Sequence, residues 1–148
     1  MTLVAAASEN GFIGKNGALP WRVPEELKLF RRLTWGGTVV VGRKTFEAPG
    51  FPLPGRKNVV ISRMRDDSIP PENNVFVIGG AEIFRLFWPR INIAFLSLIH
   101  TEIDGDVRLP DEILHLFSKE CSTFELVERR FYPALPVPFT FYRFHRIE

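Results

Sequence analysis

Residues 3–30 read LVAAASENGFIGKNGALPWRVPEELKLF, and the succession of three unlike patterns in this stretch decides the fold class. Leu3 to Ala7 is an almost wholly apolar run, short enough and uniform enough for a strand buried on both faces of a sheet. Residues 8–21 carry three glycines and a proline in fourteen positions, which predicts a long loop without a regular element. Loops of that length in a compact domain are usually functional. From Pro24 the pattern turns helical, with proline at a first helical position, Glu25 and Glu26 early, Arg31 and Arg32 late, and Leu27, Phe30 and Leu33 on one stripe. A buried strand, an irregular loop and an amphipathic helix in that order open an α/β domain.

Further along, Thr38 to Val41, Asn58 to Ser62, Val75 to Ile78 and Ile91 to Ile99 are β-branched or aromatic runs bounded by glycine, proline or polar clusters, and predict strands. GGAEIFRLFWP, residues 79–89, reads as a glycine turn opening a helix, a geometry suited to phosphate. STFELVERRF and PFTFYRFHRI alternate apolar and polar residues on either side of the proline-rich YPALPVP, predicting an antiparallel pair at the end of the chain. The whole predicts a sheet of mixed direction in a single domain, residues 1–148.

The 148 residues are 45% hydrophobic and 24% charged, enough for a substantial core without a disulfide or metal staple. Nineteen basic and seventeen acidic residues are interspersed, a distribution that argues against a nucleic-acid partner. Cys121 has no second cysteine to pair with, which fits a reducing compartment. The opening MTLVAAASENG lacks the basic and long apolar segments of a signal peptide, and no run approaches a membrane span, so a cytoplasmic protein without a membrane partner is expected. His100, His115 and His145 lack metal-ligand spacing and no GxSxG elbow occurs, so no metal site is expected. Any difficult chemistry then falls to a carboxylate and a borrowed cofactor.

Glu26 shares the helical stripe with Phe30 and Leu33, whereas Glu25 lies about 100° away around the axis. Periodicity leaves two readings of Glu26 open: an exposed acid that favours the helix dipole, the commoner case, or a desolvated carboxylate with a raised pKa. The cations of VGRKTFE and of ISR each follow a strand, so they form an anion site if the strands are neighbours, and are otherwise solvated charges. Arg56, in PLPGRKN, sits at a turn where a guanidinium holds a carboxylate or faces water.

Five segments in register, LVAAASENGFIGKNGALPWRVPEELKLF, VVVGRKTFEA, FPLPGRKNVVISR, VFVIGGAEIF and FLSLIHTEIDGDVRLP, resemble the dihydrofolate reductase family from end to end. The resemblance implies an α/β fold with a central, mostly parallel eight-stranded mixed sheet, or one strand fewer, with an antiparallel C-terminal strand and flanking helices. It also implies reduction of 7,8-dihydrofolate to tetrahydrofolate by hydride from NADPH, and binding of antifolate-type small molecules, by a monomer rather than a dimer. In its LPWxxPxE pattern the family's pterin-binding acid falls on Glu26. Trp21 then helps order a water, and Leu19 lies on a mobile loop closing over nicotinamide. Val4, Ala5, Phe30, Arg31 and Ser97 line the substrate pocket, Ser97 supports Glu26, and Arg56 clamps the α-carboxylate of the glutamate tail. On the cofactor side, Ala6, Ile13 and Gly14 border nicotinamide. Gly42, Arg43, Lys44, Thr45, Ser62 and Arg63 meet the phosphates, and Ile78, Gly79, Gly80, Ala81, Glu82, Ile83 and Phe84 form the wall at the helix start, with a cis Gly-Gly bond. Asp106 corresponds to an acid that braces the closing loop.

Three departures accompany the resemblance. Phe84 stands where many bacterial members have tyrosine, and Phe51 where some have an arginine near the tail. RMRDDSIPPENN, residues 63–74, is too short and proline-rich for the strand and helix that wall the adenosine site in the family, so the Asn58 to Ser62 strand is expected near a sheet edge. Two other functions remain: a reductase of another pteridine-like substrate, and a folate-binding or structural homologue with weak or no turnover.

Overall fold

A computed structural model describes residues 1–14, 21–62, 74–118 and 121–147. The strands are β1 (Thr2–Ser8), β2 (Phe12–Gly14), β3 (Thr38–Gly42), β4 (Lys57–Ile61), β5 (Val75–Gly79), β6 (Ile93–Ile99), β7 (Val107–Arg108), β8 (Phe124–Tyr132) and β9 (Phe139–Arg146). The α-helices are α1 (Pro24–Thr34), α2 (Arg43–Phe46), α3 (Ala81–Phe87) and α4 (Asp111–Leu114).

Seven strands form the main sheet in the order β4-β3-β5-β1-β6-β9-β8. The first five run parallel, and β9 is antiparallel to both β6 and β8. The main sheet thus has seven strands among the described residues, the one-strand-fewer form of the expected sheet, and β4 lies at its edge. Residues 63–73, on which the shortened adenosine unit falls, lie outside the described residues.

The long loop does contain a regular element. Phe12–Gly14 pairs antiparallel with Val107–Arg108 across a bulge. Strands of three and two residues are too short to show the alternation by which a strand is read, so composition alone concealed them. The join is tight: a Cβ on Gly105 would lie 2.6 Å from the Phe12 Cβ. Gly105→Ala is therefore expected to cost about 1–3 kcal/mol by overpacking, read as a fall of several degrees in the melting temperature; an unchanged melt would contradict this packing.

Helix α1 follows the expected boundaries, but its buried stripe is rotated. Leu29 is buried together with Glu26 and Thr34, whereas Leu27 is 37% exposed. At about 100° per residue, Leu29, Leu33, Glu26, Phe30 and Thr34 share one arc, and Leu27 falls beside it. This face packs on one side of the sheet with Val4, Val23, Phe95 and Phe141; the opposite side buries Leu3, Val77, Phe87, Leu96 and Phe144. The expected strand at Ile91 begins at Ile93 instead, because Trp88–Arg90 continues the preceding helix as a 3-10 turn.

The sheet opens along one seam. β1 pairs with β6 from Thr2↔Ile93 to Ser8↔Ile99, yet with β5 only at Thr2↔Phe76 and Leu3↔Val77. Beyond Leu3 the two parallel strands diverge, leaving Val4 to Ala6 facing Ile78 and Gly79 across a slot at the carboxyl ends of the strands. Such an opening is where ligands bind in parallel α/β sheets.

Candidate active site

Glu26, in the first turn of α1, lies against β6, the neighbour of β1, and is only 8% exposed. The Ser97 hydroxyl, on β6, donates a hydrogen bond to its carboxylate. Burial raises the Glu26 pKa from its ordinary value to about 7, the Ser97 bond opposing part of that rise. The exposed-acid reading is thereby excluded, and a proton is held near neutrality in a dry position. Trp21, just before α1, buries its Nε1 without an acceptor among the described residues, so it offers a donor to a water or ligand group. Val4 is buried with Ala6 and Phe30 half-buried beside it on the α1 side of the sheet, while Ala5 is half-buried toward the opposite side.

On the other side of the slot, β3 ends at Gly42 and runs directly into α2, where Arg43 and Lys44 are exposed and Thr45 is half-buried. Arg43 also lies 3.9 Å from Glu47, an exposed pair of little energetic weight. Ser62 is exposed just after β4, which neighbours β3, so the two cationic segments do follow adjacent strands. Gly79 and Gly80 are joined by a cis peptide, and Gly79 has φ +127°, a conformation other residues rarely adopt. A Cβ on Gly42 would meet Ile83 Cγ1 at 2.9 Å, and one on Gly80 would meet Thr45 Oγ1 at 3.4 Å, so the glycines keep the backbones close. Neither α2 nor α3 has a side-chain cap, which leaves first-turn N–H groups for anionic oxygens. Ile78 and Ala81 are half-buried and Glu82 is exposed, while Ile83 and Phe84 are buried in the core and support the cradle from behind. Glycines allowing close approach, free N–H groups and two cations fit a dinucleotide phosphate.

Ile13 and Gly14 lie half-buried on β2. The Asp106 backbone N–H donates to Gly14 O at 3.0 Å, and Leu109 N–H donates to Gly11 O at 2.9 Å, so the residues flanking β7 on both sides brace this segment. Asn10 adds a two-way clip, its Nδ2 donating to Ile103 O and its Oδ1 accepting from Ile103 N–H. Leu19 and Arg63 lie outside the described residues.

At the far end of α1, Arg56 donates through Nε to Pro54 O at 2.9 Å and through an Nη to Thr34 Oγ1 at 3.1 Å. Burial, and then the charge of Arg31, lowers its pKa. Thr34 and Trp35 escaped the sequence reading; the available signal was their spacing from Phe30 and Arg31, four residues on along the helix. Among the described residues no group of histidine, cysteine and acidic side chains is arranged to hold a metal.

A protonatable buried carboxylate and glycine-lined backbone with exposed cations, both on an α/β sheet that opens along one seam, suit a dinucleotide-using oxidoreductase. A family profile described as dihydrofolate reductase matches residues 1–146. The chain is 38% identical over 124 residues to the dihydrofolate reductase of Haemophilus influenzae, covering 74% of this chain and 78% of that relative. It is 36% identical over 130 residues to that of Mycobacterium leprae, covering 73% and 79%. Among solved structures, the dihydrofolate reductase of Enterococcus faecalis, complexed with NADP(H) and RAB-propyl, superposes with a TM-score of 0.80 at 27% identity, over 99% of this chain and 96% of that one. The chain belongs to the dihydrofolate reductase family.

Proposed function

We infer that the chain catalyses the NADPH-dependent reduction of 7,8-dihydrofolate to 5,6,7,8-tetrahydrofolate. The observation that carries this reading is Glu26, a buried carboxyl group whose pKa near 7 lets it keep a proton near neutrality. Hydride addition to an imine carbon is easier when the adjacent nitrogen is protonated, and Glu26 both binds the pterin edge and favours that protonation, with Trp21 ordering a water in the path. Ser97 fixes the carboxylate. Val4, Ala5 and Phe30 line the pterin and benzoyl pocket, while Arg31 and Arg56 receive the tail.

When bound, NADPH supplies the hydride from its nicotinamide. Ala6, Ile13 and Gly14 border that ring. Gly42, Arg43, Lys44, Thr45 and Ser62, with the Gly79-Gly80 turn and the α3 start, hold the phosphates, and two cationic positions favour NADPH over NADH. Among the described residues no helix is long and apolar enough to cross a membrane. We place the reaction in the cytoplasm, where the free thiol of Cys121 stays reduced.

The test follows NADPH absorbance with and without dihydrofolate. Decay that requires both is expected; no decay above background from folded protein would overturn the reading. Equal turnover of a pterin lacking the glutamate would instead favour a different pteridine-like substrate, since the Arg56 clamp would then be idle.

A further inference from the structure

Trp35 is the first residue past α1, and its indole is 52% exposed. An indole left this open is uncommon unless it serves a contact. Two guanidinium groups lie against it: Arg31 Cζ is 4.7 Å from the ring centroid and Arg56 Cζ is 5.6 Å away. Arg31 comes from the last turn of α1 and Arg56 from the turn before β4, and the ring brings the two guanidinium groups together while the Thr34 hydroxyl ties Arg56 to the helix. The backbone holds the ring in place, with Trp35 N–H donating to Arg31 O at 2.9 Å and Gly36 N–H to Gly55 O at 2.9 Å. Gly55, at φ +76°, leaves room for the ring; a Cβ there would lie 2.2 Å from its edge.

Two like charges this close repel one another. The negative face of an indole attracts both, and so keeps them together before any anion arrives. Thr34 and Pro54 engage Nε and one Nη of Arg56, leaving its other Nη outside those two bonds. A pair of guanidinium groups held at one site suits a dicarboxylate better than a single carboxylate.

We propose that Trp35 is a specificity-determining positioning residue: by carrying Arg31 and Arg56 on one indole it forms a two-guanidinium seat for the dicarboxylate end of the substrate. The inference rests on the folate reading above, in which Arg56 takes the α-carboxylate; it adds that Arg31 takes the second carboxylate and that Trp35 sets the spacing of the two. Phe51, five residues before Arg56, supplies no further charge.

Calorimetry with folate and with pteroate, the same molecule without its glutamate, tests this. Trp35→Leu is expected to weaken folate about five- to tenfold and to change pteroate less than twofold, and Trp35→Phe should restore most of the lost folate affinity. Arg31→Gln should show the same selectivity, and a double-mutant cycle of Arg31→Gln with Trp35→Phe keeps the proposal testable even if Trp35→Leu does not fold: coupled losses of folate affinity are expected, and additive losses would overturn it. Equal losses for both ligands would make Trp35 a packing residue only, and unchanged folate affinity would remove it from the site; either result overturns the proposal. Failure of the underlying reading is separate, since it would appear in the unmodified protein as equal affinity for folate and pteroate or as no turnover of dihydrofolate.

Discussion

Glu26→Gln is expected to lower kcat/KM for dihydrofolate by about a thousandfold at neutral pH, the middle of the range for loss of a positioned general acid. The amide keeps the shape and can still accept from Ser97, but it has no proton to give. For the unmodified protein the rate should be flat below about pH 7 and fall roughly tenfold per unit above it, because only the protonated carboxyl acts. Ser97→Ala should move that fall to higher pH, since the Ser97 bond works against the rise in pKa.

The same group makes an opposite prediction for stability. Its folded pKa lies above the unfolded value of 4.5, so the folded state favours the protonated form. The favourable contribution is fully present below pH 4.5 and is lost as pH rises to about 7, an effect on the order of 3 kcal/mol. Glu26→Gln never ionises, so it should melt higher than the unmodified protein at pH 8. An inactive variant that is also more stable separates catalysis from folding. A variant retaining a tenth or more of the activity, or one melting lower at pH 8, would contradict the role of a desolvated acid.

What could be read from the residues alone follows from how local each signal is. The first helix was legible because Pro24, the early acids and the late arginines lie within three turns of one another, and the strand from Leu3 was legible as one apolar run. Glu26 was ambiguous within that same helix, because its state depends on Ser97 from a distant strand and on burial against the sheet. The error over Leu27 arose from one apolar residue too many on a short helix: several stripes fit the pattern, and the sheet surface selects the one centred between Leu29 and Phe30. Pairing of β2 with β7 was illegible because neither segment is long enough to have a period. The seam between β1 and β5 is a matter of register between strands far apart in sequence, and the Arg31–Trp35–Arg56 stack joins two elements that no spacing rule relates. The resemblance singled out the acid and the glycines. Which side chains hold them there came from the packing.

Gly42→Ala should weaken NADPH binding by about 10- to 100-fold, although it adds one methyl group. The backbone there has φ −74° and ψ 156°, open to any residue, so conformational strain is not the cause. The obstacle is Ile83 Cγ1, 2.9 Å from the new Cβ, on a side chain that is 4% exposed and packed in the core. Ile83 cannot swing aside into solvent, so α3 must move away from β3. Those two elements carry opposite walls of the phosphate cradle: β3 leads into Arg43 and Lys44, and α3 begins at the Gly79-Gly80 turn. Overpacking of this kind costs about 1–3 kcal/mol, and where it separates the walls of a site it appears as affinity at about 1.4 kcal/mol per tenfold. Ile83→Ala supplies the control, because it removes the clashing atom and leaves a cavity that the methyl group added by Gly42→Ala partly fills. The double variant should therefore bind NADPH more tightly than Gly42→Ala alone and melt higher than the sum of the single losses predicts, a coupling measurable in a double-mutant cycle. Additive losses in both affinity and melting temperature would show that the contact between β3 and α3 does not set the width of the cradle.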